Sequence, residues 1–237
     1  MKITSMFILL ITSYSVYGQS QPGKVLLYDT YHKNYDVSNA YPDLLSKQSG
    51  ASIKTSNVPF NDSLLRTAHS LLLFFPQIGL DDREKEAVVR FLEKGGSLLL
   101  VFDEEKRTPF NGINEIIAPF DIQLTESDIP YVHNCGAIAQ AGKVCKARRE
   151  IPYSGGRAVI GGEMISTVYV DDPYVHSAYV ETKAGGKIIV LADGMAALLM
   201  GSDKGERLTG TVPADTKYWG RDSKVFIKEI LAFLLAD

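Results

Sequence analysis

Three groups of residues in this chain have the types and the neighbours to do chemistry. Tyr31 and His32 follow an apolar run that ends at Asp29, and Tyr218-Trp219-Gly220-Arg221-Asp222 sets the single tryptophan beside a tyrosine and an arginine. Tyrosine or histidine can accept a proton while arginine neutralises a carboxylate. Tyr31, His32, Tyr218 and Arg221 are therefore a set that a cofactor-independent lyase or dehydratase working on uronates could use. The same aromatic faces and planar donors suit a sugar ring that is only bound. Trp219 also stands where an aromatic side chain would staple the last helix. The third group is Cys135 and Cys145, separated by nine residues that include Gly136 and Gly142. Such an isolated pair most simply closes a hairpin as a disulfide; the sharper alternative makes Cys135 a nucleophile beside His133.

Other chemistries find no motif. The loop after the first apolar run, Asp29-Thr30-Tyr31-His32-Lys33-Asn34, has no glycine, so it is not a dinucleotide fingerprint, and no G-K-[ST] phosphate loop occurs. His32, His69, His133 and His176 are scattered without H-x-x-x-H spacing, so no metal is assigned; Asp171-Asp172 before Pro173 reads as a turn. A G-x-S-x-G elbow is also missing, since Tyr153-Ser154-Gly155-Gly156 follows Pro152 inside a glycine-broken region. No cofactor is implied.

The elements that would position these groups are clear in the first hundred residues. Leu71–Phe75 and Ser97–Phe102 are apolar without alternation, as strands are when both sheet faces are covered. Between them, Asp81-x-x-Glu84 can form a capping box and Lys94 precedes Gly95-Gly96, which bounds a helix burying Ala87, Val88, Phe91 and Leu92. Lys24–Asp29 reads as a first strand, a short strand surrounds Ile53, and Asn61 is placed to cap a short helix. Asn111–Pro119 reads as a further helix, Lys187–Ala192 as a late strand, and a final helix from Asp222 or Ser223 buries Ile227, Ile230, Leu231 and Leu234.

This alternation predicts an α/β fold, a doubly wound, mostly parallel sheet of flavodoxin-like order, with a β-rich insertion at about 121–183. In such a sheet of order 2-1-3-4, a ligand crevice opens beyond the strand ends between the first and third strands. Asp29, Tyr31 and His32 would line one side, Gln77 and Gly79 the other. Asp103, Glu104, Asp193 and Met195 would stand at the neighbouring strand ends, with Trp219 and Arg221 beside them.

Bulk properties narrow the partners. With 237 residues, 45% hydrophobic, the length suits a single domain over 19–237. A net charge of -3 offers no pull toward nucleic acid, and the Lys143, Lys146, Arg148, Arg149 cluster reads as a solvated hairpin. Lys2, the apolar run Met6–Ile11 and small residues before Gly18-Gln19 give residues 1–18 the pattern of a signal peptide, cut near Gly18. No later segment is apolar enough to span a membrane, so a periplasmic or secreted location is expected.

The Leu71 strand with Pro76, the helix to Lys94, Gly95-Gly96-Ser97-Leu98-Leu99-Leu100, the Asn111–Phe120 helix and Gly186-Lys187-Ile188-Ile189-Val190-Leu191-Ala192-Asp193 together resemble the class I glutamine amidotransferase-like superfamily. More narrowly they are similar to its GIFT-type, DUF4350-like domains, found in bacterial gliding, intraflagellar-transport and secreted bacterial proteins. Catalytic members of that superfamily carry a cysteine in a G-x-C-x-G turn after a core strand; here the equivalent stretch is Asp103-Glu104-Glu105. The resemblance therefore implies the noncatalytic branch, a module binding an acidic or neutral oligosaccharide or an envelope protein. The Gly18-Gln19 exit also looks like that of secreted Bacteroidetes proteins, which commonly handle polysaccharides.

Overall fold

The computed structural model describes residues 23–32, 40–106, 108–109, 112–129, 136–168, 173–201 and 222–237. Its frame is one nine-stranded sheet. Strands β1 (Val25–Asp29), β2 (Ser52–Ser56), β3 (Ser70–Phe74), β4 (Ser97–Val101) and β11 (Lys187–Leu191) form a parallel half in the order β2-β1-β3-β4-β11. The sheet then continues through β10 (Val175–Glu181), β9 (Glu163–Val168), β6 (Gly136–Ala139) and β7 (Arg149–Pro152), every step antiparallel. A small second sheet pairs β5 (Ile122–Leu124) with β8 (Val159–Gly161).

This corrects the fold class. The doubly wound, mostly parallel α/β sheet expected from the sequence is not what forms: the main sheet is mixed, with four parallel and four antiparallel pairings. More residues lie in strands than in helices, giving a β-rich fold. The reason lies in the stretch read as an insertion. Its strands β6, β7, β9 and β10 join the main sheet through the free edge of β11, whose apolar sequence does not say whether its second neighbour runs parallel or antiparallel.

Side-chain alternation divides the core. Leu26, Tyr28, Leu72, Phe74, Leu99, Val101, Ile189 and Leu191 face α1 (Ala40–Ser49), α5 (Met195–Leu198) and α6 (Ser223–Leu235). Leu27, Leu71, Leu73, Leu98, Leu100, Ile188 and Val190 face α2 (Asp62–Leu65), α3 (Asp82–Glu93) and α4 (Asn114–Ile117). Burial on both faces explains the unbroken apolar runs of β3, β4 and β11.

Local signals set the helix ends. The Asp81 carboxylate accepts from the Glu84 N–H at 2.8 Å, and Glu84 Oε2 accepts from the Asp81 N–H at 3.0 Å, completing the capping box. Asn61 caps α2 by accepting from the Leu64 N–H at 2.9 Å. Gly95, at φ +92°, turns the chain out of α3 toward β4.

Candidate functional site

Asp29 ends β1 and immediately folds the chain back on itself. Its Oδ1 accepts from the Tyr31 N–H and its Oδ2 from the His32 N–H, both at 3.2 Å. Thr30 donates from N–H and Oγ to the Ser56 carbonyl, both at 2.7 Å, tying this turn to the end of β2. His32 is driven inward and is fully buried. Its ring lies between two carboxylates, Nδ1 at 3.2 Å from Asp29 Oδ1 and Nε2 at 3.3 Å from Glu84 Oε1, and packs on Phe60. Burial alone would lower the imidazole pKa, but Asp29 and Glu84 outweigh it and raise the pKa above its usual value.

The same turn fixes the loop after β3. The His32 carbonyl accepts from the Gln77 and Ile78 N–H groups at 3.0 and 3.2 Å. Asp29 and His32 are thus sealed beneath the surface, whereas Tyr31 is 39% and Ile78 41% exposed, with Gln77 also exposed and Gly79 half-buried. Val58, beyond β2, is 47% exposed near the same end of the sheet. The indentation beside Ile78 and Gly79 has a volume of about 10 Å3. That is room for one water. Among the described residues this edge therefore presents an amphipathic surface rather than a deep pocket.

Asp103 and Asp193 follow β4 and β11, neighbouring parallel strands, and both are buried. Asp193 Oδ1 accepts from the Met195 N–H at 2.9 Å; Oδ2 accepts from the Ser154 N–H and hydroxyl at 3.2 and 3.1 Å. Burial, and next the nearby Asp103 charge, push Asp193 well above the usual carboxylate range, favouring the neutral acid. Asp103 Oδ1 accepts from the Glu104 N–H at 2.8 Å. The pair anchors the segments that leave β4 and β7.

Next to it lies a polar cluster that the sequence reading missed. Ser166 Oγ is 2.8 Å from His176 Nδ1 and 2.6 Å from Ser177 Oγ, and the Tyr153 ring meets the imidazole edge-on. A serine bonded to histidine is the start of a nucleophile and its base. Here Ser166, His176 and Ser177 are all buried, and burial depresses the His176 pKa to about 4. A neutral imidazole sealed in the sheet bonds its neighbours and meets no substrate. The signal in the sequence was three polar residues inside strands, which period and composition alone do not distinguish from exposed positions.

Tyr218, Trp219 and Arg221 lie outside the described residues. So does Cys135; Cys145 is a buried free thiol, and no disulfide is present among the described residues. Burial, with Glu229 second, raises the Cys145 pKa to about 12, so the thiol stays protonated and weakly nucleophilic. The described residues contain no cluster suited to holding a metal ion and no helix long and apolar enough to cross a membrane.

No family model matches the chain, and no curated protein matches it. Among solved structures the chain is similar to the mmIFT52 N-terminal domain, with a TM-score of 0.59 and 16% identity over 72% of this chain and 86% of that one. A looser superposition, TM-score 0.46 at 12% identity, covers 73% of this chain and 32% of the exo-beta-1,4-mannosidase Op5Man5 from Opitutaceae bacterium strain TAV5. At these identities the first likeness establishes a shared fold.

Proposed function

We propose that this chain is a secreted, noncatalytic module that binds saccharide on the surface beyond β1 and β3, and that it is a GIFT-type domain. One observation carries the reading. At this edge the acid and base groups are engaged inside the protein, His32 between Asp29 and Glu84 and Asp193 by Ser154 and Met195, while Tyr31 and Gln77 stand exposed together. An aromatic face beside an amide offers a sugar both a stacking surface and hydrogen bonds without a reactive group. Support for the GIFT assignment rests on the sequence pattern from Leu71 to Leu100 and from Gly186 to Asp193, with the cysteine-free stretch Asp103-Glu104-Glu105 in the region where catalytic members carry cysteine. The signal-peptide pattern of residues 1–18 supports secretion.

The rival reading, a lyase using Tyr31, His32, Tyr218 and Arg221, requires His32 to reach substrate, and its full burial counts against that role. The distinguishing experiment mixes the secreted protein with neutral and uronate-rich oligosaccharides and records calorimetric titrations together with ultraviolet absorbance. Saturable heat without new absorbance is the expected result. Absorbance from an unsaturated uronate would establish the rival, and the lack of saturable heat with every oligosaccharide would refute the proposal.

A further inference from the structure

A cavity lies at the opposite edge of the sheet, where β3 and β4 begin. It has a volume of about 590 Å3. That falls within the range of small-ligand sites. Ser70 and Ser97 form its floor, the Lys94–Gly96 turn and the Ala184-Gly185 turn two of its walls, and the end of α6 a third.

Its charge is asymmetric. Lys24, Arg66, His69 and Lys94 line it against two carboxylates, Asp62 and Asp237. Asp62 is held by the Arg90 guanidinium through two bonds of 3.2 Å, and Asp237 by Lys24 at 2.6 Å. Arg66 donates from Nε to the Asp62 carbonyl, and among the described residues neither Arg66 nor Lys94 has a carboxylate at ion-pair distance. His69 Nδ1 accepts from the Val25 N–H at 2.9 Å, so the neutral ring carries its proton on Nε2 and adds a donor. The Asp237 carboxylate illustrates what this field favours: Lys24, then Lys187 and His69, hold its pKa below the usual range.

We propose that this groove binds the oxyanion group of a small ligand, a carboxylate, sulfate or phosphate, with Arg66 and Lys94 as its charged contacts and His69 as a further donor. At Gly185 nothing lies within 4 Å of where a side chain would begin, so an anionic group can approach that turn, whereas at Gly95 and Gly96 the Ala184 carbonyl and the Phe91 ring fill that space. The site is separate from the surface beyond β1 and β3 and stands or falls independently of it.

Because sulfate-type anions and uronate sugars share this chemistry, the test uses both sodium sulfate and sodium glucuronate, with chloride holding ionic strength constant. Amide shifts of Gly95, Gly96 and Gly185 in nitrogen-15 spectra report location, and calorimetry reports affinity. Saturable shifts at these glycines with either probe are expected. Glucuronate alone would identify a sugar acid as the ligand type; sulfate alone, or both equally, would identify a general oxyanion site. Arg66→Ala with Lys94→Ala should weaken binding about tenfold or more, as loss of two charge-assisted contacts requires. Arg66→Lys with Lys94→Arg should retain it, and both side chains are exposed, so the fold should tolerate all four changes. No saturable shift with either probe would overturn the proposal. So would equal binding in the alanine variant, or shifts confined to the other end of the sheet.

Discussion

Replacing Glu84 with glutamine tests the buried His32 arrangement most sharply. Glu84 Oε1 accepts from the Phe60 N–H at 2.8 Å and lies 3.3 Å from His32 Nε2, while Oε2 accepts from the Asp81 N–H at 3.0 Å. Glutamine has one carbonyl oxygen and can keep only one of the two N–H partners. It also removes one of the two carboxylates flanking the imidazolium. A stranded buried donor costs about 1 to 3 kcal/mol, and weakening a buried ion pair that retains Asp29 adds about 1 kcal/mol, so Glu84→Gln should destabilise by about 2 to 4 kcal/mol near pH 6. For a chain of this size that lowers the melting temperature by about 5 to 12 °C. The loss should depend on pH. With a raised pKa, folded His32 holds a proton that the unfolded chain releases above pH about 6.5. Its contribution is therefore complete below that pH and is lost as pH rises through the folded value, at about 1.4 kcal/mol per pH unit. Denaturant melts of wild type and Glu84→Gln from about pH 6 to about pH 9 should draw closer as the imidazole deprotonates, leaving the stranded-donor cost of about 1 to 3 kcal/mol. The two proteins are compared because Asp193, also raised, adds a loss of the same sign to both. A gap that stays constant, or widens with pH, would refute the charged His32 sandwich.

Other positions give independent checks. His176, depressed to about 4, resists protonation that the unfolded chain accepts, so it contributes a loss of about 1.4 kcal/mol per pH unit on acidification from pH about 6.5 to about 4, against the opposite contribution of Asp193; relative to wild type, His176→Leu should gain by that slope in acid denaturation, and a difference that stays constant with pH would contradict the assignment. Gly156→Ala would set a Cβ 2.5 Å from the Ala192 carbonyl oxygen and 3.4 Å from the Asp193 Cβ. A clash with main chain cannot relax by a rotamer change, so a loss of about 1 to 3 kcal/mol is expected in urea melts, and wild-type stability would disprove the close approach. Cys145, buried and raised to about 12, should resist iodoacetamide near neutral pH until the protein is denatured. Peptide mapping that finds Cys145 rapidly alkylated in folded protein would refute this.

The parts of the fold legible in the sequence are those whose signals are local. Asp81 and Glu84 announce their helix by spacing alone, and the apolar runs of β3, β4 and β11 require cover on both faces. Where β11 finds its other neighbour is not local: Ser177 pairs with Leu191 and Ala178 with Val190, contacts that no periodicity within β10 specifies. The mixed sheet was therefore hidden. The site divides in the same way. Asp29 and His32 stand at a strand end, which marks them as rim residues, yet the turn made by Asp29 Oδ2 and the distant Glu84 draws His32 inside. Only Tyr31, one position earlier, remains outside. The capping box even disguised Glu84, since a glutamate that satisfies a helix end shows no sign of a second partner 52 positions away, His32. The grouping of Ser166, His176 and Ser177 was not legible because they lie on two strands whose antiparallel pairing, Ser166 opposite Ser177, is set by the sheet and not by either segment alone.

The central claim, saccharide held on the surface beyond β1 and β3 without catalysis, is tested most directly by titrating wild type and Tyr31→Ala with one panel of neutral and acidic oligosaccharides. Tyr31 is 39% exposed and its backbone N–H, which binds Asp29, survives the substitution, so the variant should fold, with melting lowered only by loss of the edge contact its ring makes with His32 at 5.1 Å. Loss of its ring should weaken binding by about 1 to 2 kcal/mol, a fall of roughly five- to thirty-fold in affinity. Wild-type affinity in folded Tyr31→Ala would contradict the account.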